Sequence, residues 1–161
     1  MESTPQLVKR LMARWAADGT RALPPPKGAV LERLEQAHDV RLPADLRAYF
    51  ATTGGVPYPD FDAAGIGWWA AERVVPLSTY CPTLLEVHGF FVVADMLMEC
   101  THYSIQLHTT SRWPQGTVIE GDGARHRVRA ASWSEFMRLR LDDPERVAVW
   151  RKGEPDDGPS R

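Results

Sequence analysis

The sequence predicts a single α+β domain: a twisted antiparallel sheet flanked by N-terminal and C-terminal helices. Three observations carry that prediction. Apolar residues recur at helical spacing through the first third of the chain. The middle reads as successive short strands joined by turns with no helix between them, which favours antiparallel pairing because parallel neighbours need a long crossover. The helical period then returns after Ser132. A length of 161 residues suits one domain with an ordinary core, placed here at residues 1–150 and followed by a flexible tail over 151–161.

Thr4 followed by Pro5 signals a helix start, and Leu7, Val8, Leu11, Met12 and Trp15 form one apolar stripe before Gly19. "LPPPKG" is a stiff connector that cannot continue a helix. Val30, Leu31, Leu34 and Ala37 mark a second helix. Pro43 pushes Leu42 out of the helical region and opens a third, whose face is Leu46, Tyr49 and Phe50, ended by Gly54-Gly55.

The texture then changes. "VPYPDFDAAGIGWW" has no steady period and reads as an ordered, aromatic-rich loop. "RVVPL" is a short strand, with Pro76 placing it at an edge or a strand end. "FFVVAD" is a continuous apolar run that suits a buried strand. "HYSIQLHT" alternates, with Tyr103, Ile105 and Leu107 on one face and His102, Ser104, Gln106 and His108 on a polar one, so it predicts a half-buried strand. "GTVIEGDG" and "HRVRAAS" form a hairpin around Gly121-Asp122-Gly123. Ser132 and Glu135 make a capping box for a helix faced by Trp133, Phe136, Met137 and Leu141, and Asp143-Pro144 caps a last short helix holding Val147 and Trp150.

Composition narrows the function classes. Lys and Arg total 19 against 21 Asp and Glu, a net charge of -2, which lacks the basic excess expected of a nucleic-acid binder. No stretch approaches the ~20 apolar residues of a membrane span, and the opening "MESTPQLVKR" lacks a secretory pattern. Two cysteines make no disulfide framework. The expected setting is the cytoplasm, with neither a nucleic acid nor a membrane as partner.

Four chemistries compete with plainer readings. "AGIGWWA" matches G-x-G-x-x-A, but a dinucleotide cradle needs a buried strand leading in and a helix leading out. Here "YPDFDA" leads in and two indoles fill the turn, so no cofactor is expected. Cys81, His88, Cys100, His102 and His108 have none of the spacings of a zinc site. They read instead as histidines on a solvated face and two small buried thiols, and no metal is expected. No G-x-S-x-G elbow or other motif supplies a serine or cysteine with a base, so no catalytic residue is assigned. Asp60 and Asp62 are read as loop acids or partner contacts, and Asp143 as a cap.

Tryptophan is the unusual component, with six residues. Trp15, Trp133 and Trp150 lie on apolar helical faces and are assigned to the core. Trp68, Trp69 and Trp113 lie in loop-like stretches. Adjacent tryptophans in an extended segment point opposite ways, which suggests that at least one of Trp68 and Trp69 is partly exposed. Exposed indole beside Tyr58, Phe61 and acids has the composition of a protein-binding hot spot. The competing reading, both indoles packed over a sheet edge, stands beside it.

The segment from Leu23 to Gly55, with "LERLE", "LPADLRAYF" and its glycine turn, resembles the opening of the SUKH superfamily of fungal cell-wall synthesis regulators and bacterial immunity proteins. "FFVVAD", "YSIQL", "GTVIEGDG" and "ASWSEFMRL" are similar to that family's later strands and final sheet-packing helix. The resemblance implies a non-enzymatic α+β domain. In bacterial members it implies an immunity protein that binds a cognate toxin, often a nuclease or deaminase, and blocks it. It has no catalytic motif to transfer. The expected partner-binding residues, Tyr58, Asp60, Phe61, Asp62, Trp68 and Trp69, come instead from the composition of this loop. An adaptor or regulatory scaffold unconnected to a toxin is the alternative. A small-molecule enzyme would need a deep pocket gathering His88, Cys100 or His102.

Overall fold

A computed structural model describes residues 2–82, 88–108, 113–122 and 125–144. Helices α1 (Thr4–Ala17), α2 (Val30–His38) and α3 (Ala44–Thr52) open the chain, and α5 (Trp133–Asp142) closes the described part. Between them lie β1 (Ile66–Trp68), a 3-10 turn (Ala71–Arg73), β2 (Val75–Pro76), the single-turn α4 (Leu77–Tyr80), β3 (Phe90–Met96), β4 (Thr101–Gln106), β5 (Val118–Gly121) and β6 (His126–Ala130). The α+β expectation is met. The last expected helix, with Val147 and Trp150, and the tail lie outside the described residues.

The helix starts follow local chemistry. Ser3, one residue earlier than expected, is the N-cap of α1, and its N–H donates to Gln6 at 2.8 Å. Ser132 caps α5 by accepting the Glu135 N–H at 3.1 Å. The Glu135 carboxylate reaches the N–H of Ala131 rather than of Ser132 itself. Pro43 is the N-cap of α3 and has no side-chain acceptor to offer, and the Asp45 carboxylate takes the Leu46 N–H instead, at 2.9 Å.

Every strand pair is antiparallel, in the order β1-β3-β4-β5-β6, with β2 also pairing β3. β1 and β2 share one side of β3: Val75 and Pro76 meet Val92 and Phe91, and Ile66, Gly67 and Trp68 meet Met96, Asp95 and Ala94. The aromatic loop thus ends in an edge strand that the sequence reading missed, and "RVVPL" contributes only two strand residues. A bulge at Val93 leaves Val92 opposite Ser104 and Ala94 opposite Tyr103. The spare carbonyl of Val93 accepts the Trp69 N–H at 3.1 Å.

The bulge helps supply two cores. On the helix side Leu7, Leu11, Trp15, Leu46, Tyr49, Phe50, Trp68, Trp133 and Phe136 pack with Val93, Ala94, Tyr103 and Ile105. Trp68 is central, with ring centroids 5.7 Å from both Trp15 and Trp133 and 5.8 Å from Phe136. On the opposite face Trp69, Leu77, Phe90, Val92 and Ile119 form a smaller core, with Tyr80 and Trp113 packed against it.

That second core corrects the expected solvated polar face of β4. His102, Ser104 and Gln106 are all buried, because residues after β2 and before β5 fold over them. Gln106 is satisfied by the His88 carbonyl and the His108 N–H. The thiols are also reversed from expectation: Cys100 is exposed and Cys81 half-buried.

Candidate functional site

Asp62 shapes the loop that precedes β1. Its Oδ1 accepts the N–H groups of Ala64 and Ile66, both at 3.0 Å, and its Oδ2 accepts the Trp68 indole N–H at 2.8 Å. Its own N–H donates to the Ile66 carbonyl at 2.9 Å. Arg140 of α5 lies 3.5 Å from the same carboxylate, and both side chains are nearly excluded from solvent. Burial is the main influence on Arg140, pulling its pKa down against the opposing pull of Asp62. A carboxylate with these ligands organises backbone and is not free to meet a partner.

Asp95 plays the matching part on the other face. It accepts the Trp69 indole N–H and lies 3.6 Å from Arg73. The Arg73 guanidinium sits between two rings, 3.7 Å from the centroid of Tyr58 and 4.0 Å from that of Trp69, and pairs with Glu99 as well. Stacking between two rings, with the buried Asp95 and the exposed Glu99 beside it, fixes the cation.

These contacts settle the two readings of the paired tryptophans. Trp68 is fully buried and Trp69 is 3% exposed, so the expected exposed indole is corrected. Their side chains do point opposite ways, but both faces of the sheet are covered. Tyr58, Asp60 and Phe61 lie on the surface, whereas Asp62, Trp68 and Trp69 lie beneath it and support it. The structure therefore splits the expected contact set into an outer layer and an inner one.

Sequence reasoning missed the surface's other half. In the β3–β4 turn, Leu97, Met98 and Glu99 have φ of 48, 55 and 71°, a left-handed run that costs L-residues free energy. Leu97 and Met98 are 52% and 65% exposed. The Leu97 N–H pins the turn to the aromatic loop by donating to the Gly65 carbonyl at 2.8 Å, and the Cys100 N–H closes the turn on itself by donating to the Met96 carbonyl at 3.1 Å. The Glu99 N–H donates to Asp95 at 3.3 Å, and the Glu99 carboxylate pairs with Arg73. The signal was present as two large apolar residues inside a turn, where polar ones are usual.

The catalytic alternatives gather no comparable site. Among the described residues no group of three His, Cys, Asp or Glu is placed to hold a metal. His88 and Cys100 are exposed, whereas His102 is buried in the second core. Burial pushes the His102 pKa down to about 4. Its Nε2 and the Ser104 Oγ are both buried without a hydrogen-bond partner, so they form no relay with each other. A groove of about 340 Å³ lies elsewhere, between the Pro24–Pro26 strap, Gly54, Ala70 and Glu72. No helix among the described residues is long and apolar enough to cross a membrane. No protein-family model matches the chain, and no curated protein matches it.

Proposed function

We propose that this chain is a non-enzymatic, cytoplasmic immunity protein that binds a cognate bacterial toxin domain, of the nuclease or deaminase kind, and occludes its active site. One observation carries the reading: Tyr58, Phe61, Leu97 and Met98, all large and apolar, stand exposed on backbone that internal hydrogen bonds hold in place. Exposed apolar groups gathered in this way mark interaction sites, and a fixed backbone lowers the ordering cost of binding. The resemblance to the SUKH superfamily supplies the toxin as the expected partner.

The test is coexpression with the toxin gene expected immediately upstream of this one. Neutralised toxicity and copurification of the two proteins support the reading. Full toxicity in the presence of soluble, folded protein overturns it, and retrieval of housekeeping partners alone would favour the adaptor role.

A further inference from the structure

We infer that the Tyr58–Phe61 loop and the Leu97–Met98 turn form one docking surface for a basic protein partner. The partner's cationic side chains meet Tyr58, Asp60 and Glu99, while Leu97 and Met98 enter its apolar contact area. The inference rests on the protein-binding reading above and adds the place and chemistry of the contact.

The two segments are joined through shared partners. Tyr58 covers Arg73, Arg73 pairs with Glu99, and Glu99 follows Met98 in the turn. On the other side Leu97 bonds to Gly65, which follows Asp62 in the Phe61 loop. Gly65 holds a φ of +83°, a conformation that favours glycine, and in it presents its carbonyl to the turn. The free protein bears the cost of three left-handed residues in a row without burying the side chains they present. Strain of this kind persists only where surrounding bonds enforce it, and it concentrates at functional sites.

Charge selects the partner. The buried Asp95 offsets Arg73 from beneath, which leaves Asp60 and Glu99 as the exposed carboxylates of the surface. Arg73 is already committed to two acids and two rings. The outward-facing Tyr58, 62% exposed, leaves ring surface for a second cation. Apolar anchors with an acidic rim fit a basic surface and repel an acidic one.

The test is titration of the ¹⁵N-labelled full chain with two blocked hexapeptides, one alternating Arg and Leu and one alternating Glu and Leu. The Arg-Leu peptide is expected to shift the amides of Asp60, Leu97, Met98 and Glu99 saturably, and less at high salt. The Leu97→Asn/Met98→Asn double variant, which removes the apolar groups without adding charge, is expected to bind at least ~30-fold more weakly, the size of a hot-spot loss. The buried Trp69 indole N–H resonance reports that this variant is folded. Equal binding of both peptides, shifts elsewhere on the molecule, or no shifts at all would overturn the inference. Undiminished toxin neutralisation by the double variant would overturn this docking site and leave the immunity reading intact. Turn-specific peptide binding without neutralisation would support the site and count against the toxin.

Discussion

The Trp68 indole N–H donates to Asp62 Oδ2 at 2.8 Å inside the helix-side core. Trp15 and Trp133, which pack against the same ring, have no acceptor for their own indole N–H groups among the described residues. Asp62 therefore supplies the cluster's directional contact and ties it to both the loop backbone and Arg140. Asp62→Ala should cost about 3 kcal/mol or more, because it leaves Arg140 buried without its carboxylate. Asp62→Asn keeps an acceptor and should cost less. Urea unfolding of both variants measures the difference, and equal losses would show that the charge on Asp62 carries the whole contribution and its acceptor role none.

His102 should make stability depend on pH. An unfolded imidazole titrates near 6.5, and burial holds the folded one near 4. Between those values the unfolded chain binds the extra proton, so this contribution is level above about pH 7 and is lost as pH falls from about 6.5 to 4. The total is about 3 kcal/mol. A His102→Asn variant should show a flatter profile over that window, whatever its stability at pH 7. An unchanged slope would assign the dependence to other groups.

Glu120 is buried on the helix side, where its carboxylate takes the Arg127 guanidinium at 3.0 Å and that of Arg129. Burial raises its pKa despite Arg127. Removing the negative member of a buried ion cluster is far costlier than removing a surface pair. Glu120→Gln should lower stability by about 3 kcal/mol, whereas Asp142→Asn at the exposed Arg10 pair should change it by less than about 1 kcal/mol. Chemical denaturation of the two variants side by side checks the contrast.

Gly55 and Gly19 share a φ of +78° but differ in surroundings. A Cβ on Gly55 would lie 2.2 Å from the Trp68 carbonyl oxygen, and one on Gly19 would meet nothing within 4 Å. Gly19→Ala should cost only the dihedral penalty of about 1 kcal/mol. Gly55→Ala should cost clearly more, roughly 2 kcal/mol or above, because the Gly55 carbonyl also accepts the Leu23 N–H that anchors the proline strap. Melting temperatures of the two variants rank them, and equal shifts would mean that the backbone at Gly55 relaxes freely.

Much of the fold was legible because local pattern and tertiary demand agree. The stripe Leu7, Val8, Leu11 and Trp15 is buried as its period requires, and so are Leu46, Tyr49 and Phe50. "FFVVAD" is the strand that carries β1, β2 and β4. The candidate site was legible only in part. Composition drew attention to residues 58–69, and there Tyr58, Asp60 and Phe61 are exposed. It could not show that Asp62 and Asp95 would draw two indoles inward, since the Trp69 partner lies 26 residues away.

By itself, the sequence located α1, α2, α3 and α5 and the strands β3 to β6, because each rests on spacing within a few residues. The tertiary structure decided what the two glycines of "AGIGWWA" are for: Gly65 takes a φ of +83° with its carbonyl accepting the Leu97 N–H, and Gly67 lies under the Asp95 carboxylate, whose oxygens a Cβ would approach to 3.1 and 3.2 Å. It also decided that the polar face of β4 is covered and that Leu97 and Met98 complete the exposed surface. Periodicity records which way a side chain points, but burial depends on what a distant segment lays over it.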